Sequence, residues 1–180
     1  MNKESTQHTQ CPVCDMVVNK GDIELSYQGL IFAFCSQQCK DRFAANPHLY
    51  IGMPGHPAPK YLGHELIKTR ILKLQESLTT NQQQVVIADL MNMMGIKKVS
   101  VDIDRVLITY DLLQATVEQI EATIEKSGDK LGGGLGEKLK RAFIHYLEES
   151  ELDNLEQSGL LIDIDSTRMH KIQGATRGNK

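Results

Sequence analysis

The chain's four cysteines all fall within one stretch, CPVCDMVVNKGDIELSYQGLIFAFCSQQC. Cys11 and Cys14 form a CxxC pair and Cys35 and Cys39 a CxxxC pair, with 20 residues between the two. A tight CxxC turn converges two thiolates on one point, and two cysteines four apart on a helix project from one face a turn apart. The spacing therefore predicts that Cys11, Cys14, Cys35 and Cys39 surround one transition-metal ion as a tetrahedral set of soft ligands. Zinc is the expected ion as isolated, with Cu(I) the alternative, because thiolates accept both and spacing does not choose between them. Met16, a thioether donor, is a secondary candidate if the ion is Cu(I).

Two other uses of four cysteines fit the chain less well. A disulfide framework needs an oxidising compartment, and the start of the chain has no secretory pattern. A thioredoxin-type redox pair would place CPVC at the end of a βαβ strand and would not bring a second cysteine pair with it.

The elements that must position these thiols are legible around them. Ile23 to Phe34 reads as two strands joined by a turn at Tyr27-Gln28-Gly29, the second strand being the strong β-formers from Leu30. Ser36 is a suitable N-cap, so a helix is predicted from Gln37 to about Ala45, ending before Pro47, with Cys39 in its first turn. That position is expected to lower the Cys39 thiol pKa through the helix dipole.

This stretch resembles a YHS domain, a small metal-binding module related to the TRASH family and often found at the head of heavy-metal-transporting P-type ATPases. The resemblance runs through Cys14, Met16, Tyr27, Gly29, Phe34-Cys35-Ser36, Cys39, Phe43, Pro47 and Tyr50. It implies metal binding and a transporting ATPase as partner. Two departures stand out: Asp15 occupies a position where the family has glycine, and Cys11 adds a thiol that many members lack.

The 180-residue chain is 41% hydrophobic, enough to bury a core, and its formal net charge is −3. That balance provides no basic field for nucleic acid, and no apolar run approaches the ~20 residues of a membrane-spanning helix. A cytoplasmic protein that does not enter the membrane is expected.

In chain order, residues 1–10 read as a flexible lead in which His8 is a possible accessory ligand. Residues 11–50 are the metal module, and the proline- and glycine-rich residues 51–64 are a linker. His48, Met53, His56 and His64 could form a transfer path, but surface roles are the simpler reading. From Leu66 a strand is predicted, then a helix capped by Thr79 or Thr80 running to about Met94 with Gly95 as its stop. A hairpin of Lys98 to Ile103 and Arg105 to Tyr110 follows, then a helix from Thr116 to about Ser127. Strand, helix, hairpin and helix predict a ferredoxin-like βαββα(β) sandwich over residues 65–131, making the chain α+β: a treble-clef-like four-cysteine module, this sandwich and a C-terminal helix.

The second region resembles the heavy-metal-associated domain of copper chaperones and copper ATPases, through residues 95–102, 106–111 and 117–128. Metal-carrying members have a methionine and a CxxC pair after the first strand. Here that loop is Gln75-Glu76-Ser77-Leu78-Thr79-Thr80-Asn81, so the implied domain keeps the fold without the ion site. Its expected role is docking, to a transporter or to a second copy. Met91, Met93 and Met94 read as core residues rather than a methionine site, with Met91 on the buried face. Residues 132–136, GGGLG, lack the lysine and hydroxyl residue of a phosphate loop and read as a hinge.

A helix is predicted over 137–157 with Leu139, Phe143, Tyr146 and Leu147 on one side, packing on the preceding domain or on its copy in a homodimer, and His145 exposed. Leu160 to Asp165 could add an edge strand, and 166–180 reads as a disordered basic tail. The chain is expected to be a heavy-metal-binding accessory protein, the alternative being a structural zinc module in an interaction protein. A four-thiolate site leaves no open position for substrate, so an enzyme is not expected.

Overall fold

The CxxC turn folds the chain back on itself, so the residues on either side of it pair. β1 (His8–Gln10) runs antiparallel to β2 (Val17–Asn19) with Thr9 opposite Val18. The expectation of a flexible lead through residue 10 is thus corrected: a knuckle that returns the chain within a few residues gives His8 to Gln10 a partner strand. The computed structural model describes residues 8–19, 21, 23–63, 65–127 and 130–175.

β3 (Glu24–Tyr27) and β4 (Leu30–Ala33) form the second hairpin. Gln28 and Gly29 join them with φ of 50° and 79°, both positive, as a two-residue type I′ turn requires. α1 (Gln37–Ala45) follows, with the Ser36 side chain accepting from the Cys39 N–H. Phe43 on α1 is buried against Tyr27, Phe32, Phe34 and Tyr50. Knuckle, hairpin and helix make the treble-clef arrangement.

α2 (His48–Ile51) ends at Gly52, whose φ is 69°. A Cβ there would lie 2.4 Å from the His56 carbonyl oxygen, so the turn admits only glycine. Residues 51–63 of the expected linker 51–64 are not a free tether. Pro59–Leu62 form a 3-10 helix, Ala58 and Pro59 are buried, and Met53 bridges to His56. Prolines here stiffen a packed strap, where composition alone suggested a linker.

β5 (Ile67–Lys73), α3 (Thr80–Met91), β6 (Ile96–Asp102), β7 (Arg105–Asp111) and α4 (Val117–Lys126) build the second unit. Its antiparallel sheet has the order β5-β7-β6, the ferredoxin-like order of its first three strands. Thr79 and Thr116 cap α3 and α4 through full capping boxes with Gln82 and Gln119. The fourth strand is reduced to a stub: Leu131 bridges Leu74, flanked by Gln75 N–H to the Lys130 carbonyl at 2.7 Å and Gly132 N–H to the Lys73 carbonyl at 2.8 Å. The glycines expected as a hinge thus include a paired residue.

α5 (Leu135–Ala175) is longer than the predicted 137–157 and takes in residues 160–165 and 166–175. The alternation LLIDID that suggested a strand is also compatible with a helix already under way. On α5 the predicted apolar side is corrected as well: Leu139, Phe143, Tyr146 and Leu147 are exposed, and Glu148 and Leu152 are buried instead. Met91 is likewise exposed, while Met93 and Met94 pack against the core. Ile103, expected in β6, sits at positive φ in the β6–β7 turn. One contiguous buried cluster runs from Cys11, Phe34 and Phe43 through Tyr50 to Leu90, Ile108 and Ile120, uniting the two halves.

Candidate metal centre

The knuckle and the start of α1 bring all four predicted thiols to one place. The Sγ atoms of Cys11, Cys14, Cys35 and Cys39 all lie within 4.8 Å of one another, with Cys14 to Cys35 at 3.3 Å and Cys35 to Cys39 at 3.5 Å. Four sulfurs at the usual ~2.3 Å zinc–thiolate distance would be about 3.8 Å apart in a tetrahedron, so the donor set fits one ion. Among the described residues no histidine or carboxylate joins the group, and His8, on β1, stands outside it.

Burial is uneven across the cluster. Cys11 and Cys39 are buried completely, whereas Cys14 and Cys35 are half-buried and form its open edge.

The thiols share their protons. The Cys39 side chain, hydrogen-bonded to Cys11, holds Cys11 down to about 4, helped by the backbone N–H groups of Cys35, Cys14 and Val13. Burial pushes Cys14 up to about 12. Cys39 is raised, first by holding its proton toward Cys11 and then by burial, and this corrects the expectation that the helix start lowers it. A neighbouring thiolate outweighs the dipole. The metal-free cluster thus carries a thiolate at Cys11 and protons on Cys14 and Cys39 that an incoming cation must displace.

Asp15 answers the family's missing glycine. Its φ is 62°, a left-handed backbone that glycine adopts freely and aspartate tolerates better than most side chains. The Asp15 N–H donates to the Cys11 carbonyl and the Cys11 N–H to the Met16 carbonyl, both at 2.9 Å, closing the knuckle. The Asp15 carboxylate then pairs with Lys60 at 2.7 Å, and Lys60 Nζ also donates to the Pro12 carbonyl at 2.6 Å. Lys60 was not singled out from the sequence because its partners lie 45 and 48 positions away, and no local pattern marks it.

Among the described residues the other histidines do not extend the site. His48 Nδ1 lies 2.9 Å from the Gly52 carbonyl, which can only accept, so Nε2 accepts from the Tyr27 hydroxyl at 3.1 Å. Both ring nitrogens are committed to holding α2. His56 belongs to the Met53 turn, His64 lies outside the described residues, and His145 bonds Glu121 at 3.0 Å. Met16 is half exposed beside the knuckle.

Residues 9–53 match the YHS domain. The YHS domain covers both hairpins, α1 and α2, and it holds all four cysteines. Three solved structures are similar to parts of the chain. The CopZ metallochaperone is 23% identical, covering 36% of this chain and 98% of that one, with a TM-score of 0.34. A putative copper-ion-binding protein from Bacillus anthracis str. Ames is 18% identical, covering 38% and 99%, with a TM-score of 0.36. Oxidized MerP from Ralstonia metallidurans CH34 is 16% identical, covering 37% and 94%, with a TM-score of 0.35. No curated protein matches the chain.

Proposed function

We propose that the chain is a metal-binding accessory protein that holds one transition-metal ion on the thiolates of Cys11, Cys14, Cys35 and Cys39 and passes it to a partner. The observation that carries this reading is the convergence of four sulfurs within 4.8 Å, with no other donor type among the described residues. Such a set accepts Zn or Cu(I), and selection between them rests on what the cell supplies. The half-buried Cys14 and Cys35 edge supports transfer. An incoming thiolate bonds the metal there as one protein thiolate leaves, so the coordination number is kept throughout. The proposed acceptor is a thiol-bearing domain of a heavy-metal-transporting P-type ATPase, and the reduced thiols suit a cytoplasmic setting. No described helix is long and apolar enough to cross a membrane. The complete thiolate shell leaves no position for substrate, which supports a non-enzymatic role.

A second reading is favoured by the burial of Cys11 and Cys39 inside the aromatic core of the YHS domain. In that reading the ion is zinc and resident, and it supplies the folding energy of a module whose strands are only three or four residues long. One experiment separates the two. Elemental analysis of protein purified without added metal should give one ion per chain, and less than a tenth of that in Cys35→Ser. An ion that passes within minutes to a competing thiol chelator, with the fold retained, supports cargo. An ion that leaves only as residues 9–53 unfold supports the structural role, and absence of metal in the wild type rejects both.

A further inference from the structure

α5 carries apolar residues on two sides, and only one of them is packed. At 3.6 residues per turn each position advances the helix by ~100°, which places Leu135, Leu139, Phe143, Tyr146 and Leu147 on one side and Arg141, Ile144, Glu148, Leu152 and Leu155 on the opposite one. The packed side sets Ile144, Leu152 and Leu155 against the core and carries charged residues beside them. Glu148 accepts from the Tyr110 hydroxyl and from the Val117 N–H at 2.9 Å, Arg141 donates to the Gly132 carbonyl at 2.8 Å, and Glu151 pairs with Lys68 at 2.7 Å. The apolar side faces out, with Leu135 87%, Leu139 73%, Phe143 59% and Tyr146 64% exposed. These residues make a continuous ridge about 18 Å long at 1.5 Å per residue. A ridge of this kind, on a helix whose other side is already fixed by ion pairs, cannot be buried by rotating the helix.

We propose that this ridge is the interface of a homodimer in which two copies of α5 pair antiparallel about a two-fold axis passing near Phe143. Charge selects the occupant and the direction. Exposed Lys138 and Glu149 lie three turns apart on the same flank of the ridge, the lysine toward the N-terminal end and the glutamate toward the C-terminal end. Antiparallel pairing about a point between Phe143 and Ile144 sets Lys138 of each copy against Glu149 of the other. The same axis brings the two Phe143 rings together and places Leu139 beside the partner copy's Leu147. Parallel pairing about a two-fold axis would put the two copies' flanks on opposite sides of the interface, so that neither Lys138 meets a Glu149. A two-fold contact of one patch with itself is also the commonest way for a chain to close an assembly. The dimer does not depend on whether the cysteines hold metal.

The test is sedimentation equilibrium of the full chain, with the fold followed by circular dichroism. The wild type is expected as a dimer at micromolar concentration. Phe143→Glu should weaken dimerisation by at least about 100-fold with the helix content unchanged, because the substituted side chain is exposed in the single copy. Lys138→Glu alone and Glu149→Lys alone should each weaken it about tenfold, and the double exchange should restore it. A wild type that stays monomeric at 100-fold higher concentration, a Phe143→Glu protein that remains dimeric, or a double exchange no better than the singles would each overturn the proposal.

Discussion

Gln38 and Met94 are joined in both directions: the Gln38 side chain donates through Nε2 to the Met94 carbonyl at 2.9 Å and accepts through Oε1 from the Met94 N–H at 3.2 Å. Nε2 also donates to the Gln114 carbonyl at 3.0 Å. Gln38 is the residue before Cys39, so the helix turn that carries a cluster sulfur also fastens the YHS domain to the ends of α3 and β7. Replacing Gln38 by alanine leaves these backbone groups without their partner, and stability should fall by about 1–3 kcal/mol. The same link predicts that chelating the metal increases amide hydrogen exchange at Met94, whose N–H Gln38 holds. Unchanged exchange there would mean the cluster and the second unit are mechanically separate.

Asp15 combines a left-handed backbone with a salt bridge, and its substitutions should separate the two. Asp15→Asn keeps a side chain tolerant of this backbone and weakens the pairing with Lys60, so unfolding stability should change by less than about 1 kcal/mol. Asp15→Val places a β-branched residue at positive φ and should cost about 1–3 kcal/mol and slow metal uptake. Urea denaturation and stopped-flow metal binding read these effects. Equal losses in the two variants would show that the backbone conformation is not what constrains this position.

Metal uptake should release protons. Cys14, pushed up to about 12, and the raised Cys39 are thiols at neutral pH, while Cys11, held at about 4, is already a thiolate. The metal binds only deprotonated sulfur, so each displaced proton makes affinity rise with pH, about tenfold per unit for each thiol. Two such groups predict at least about a 100-fold gain from pH 6.5 to 7.5. Calorimetry in buffers of different ionisation enthalpy counts the protons directly, and a pH-independent affinity would contradict the geometry of the cluster.

Tyr50 and Tyr110 set an alkaline limit on the fold. Burial raises both phenols, and beside Tyr110 the Glu148 carboxylate adds to the effect. A folded-state value above the unfolded one gives stability that is complete below about pH 10 and is lost as pH climbs beyond it. Ultraviolet titration should show these two ionising only together with loss of the near-ultraviolet dichroism. Ionisation of both before unfolding would contradict their burial.

Local signals carried most of what the sequence revealed. The cysteine spacing placed the cluster, Ser36, Thr79 and Thr116 marked three helix starts, and Gln28-Gly29 marked a hairpin, because each acts within a turn or two of chain. The bond from Lys60 to the knuckle, the commitment of His48 to Tyr27 and Gly52, and the packing of the charged side of α5 were not legible. In α5 the rule that apolar residues turn inward failed because buried Glu148 has Tyr110 and Val117 as partners on other elements, and sequence spacing does not register such partners. β1 escaped notice because three polar residues form a strand only once the CxxC turn supplies the opposite edge.

Four sulfurs from two separated stretches of chain are expected to hold one ion. X-ray absorption at the metal edge of the protein loaded with one equivalent of zinc tests it most directly. The expected result is a single shell of four sulfur scatterers at about 2.3 Å. A shell containing two or fewer sulfurs, filled out by nitrogen or oxygen, would contradict it.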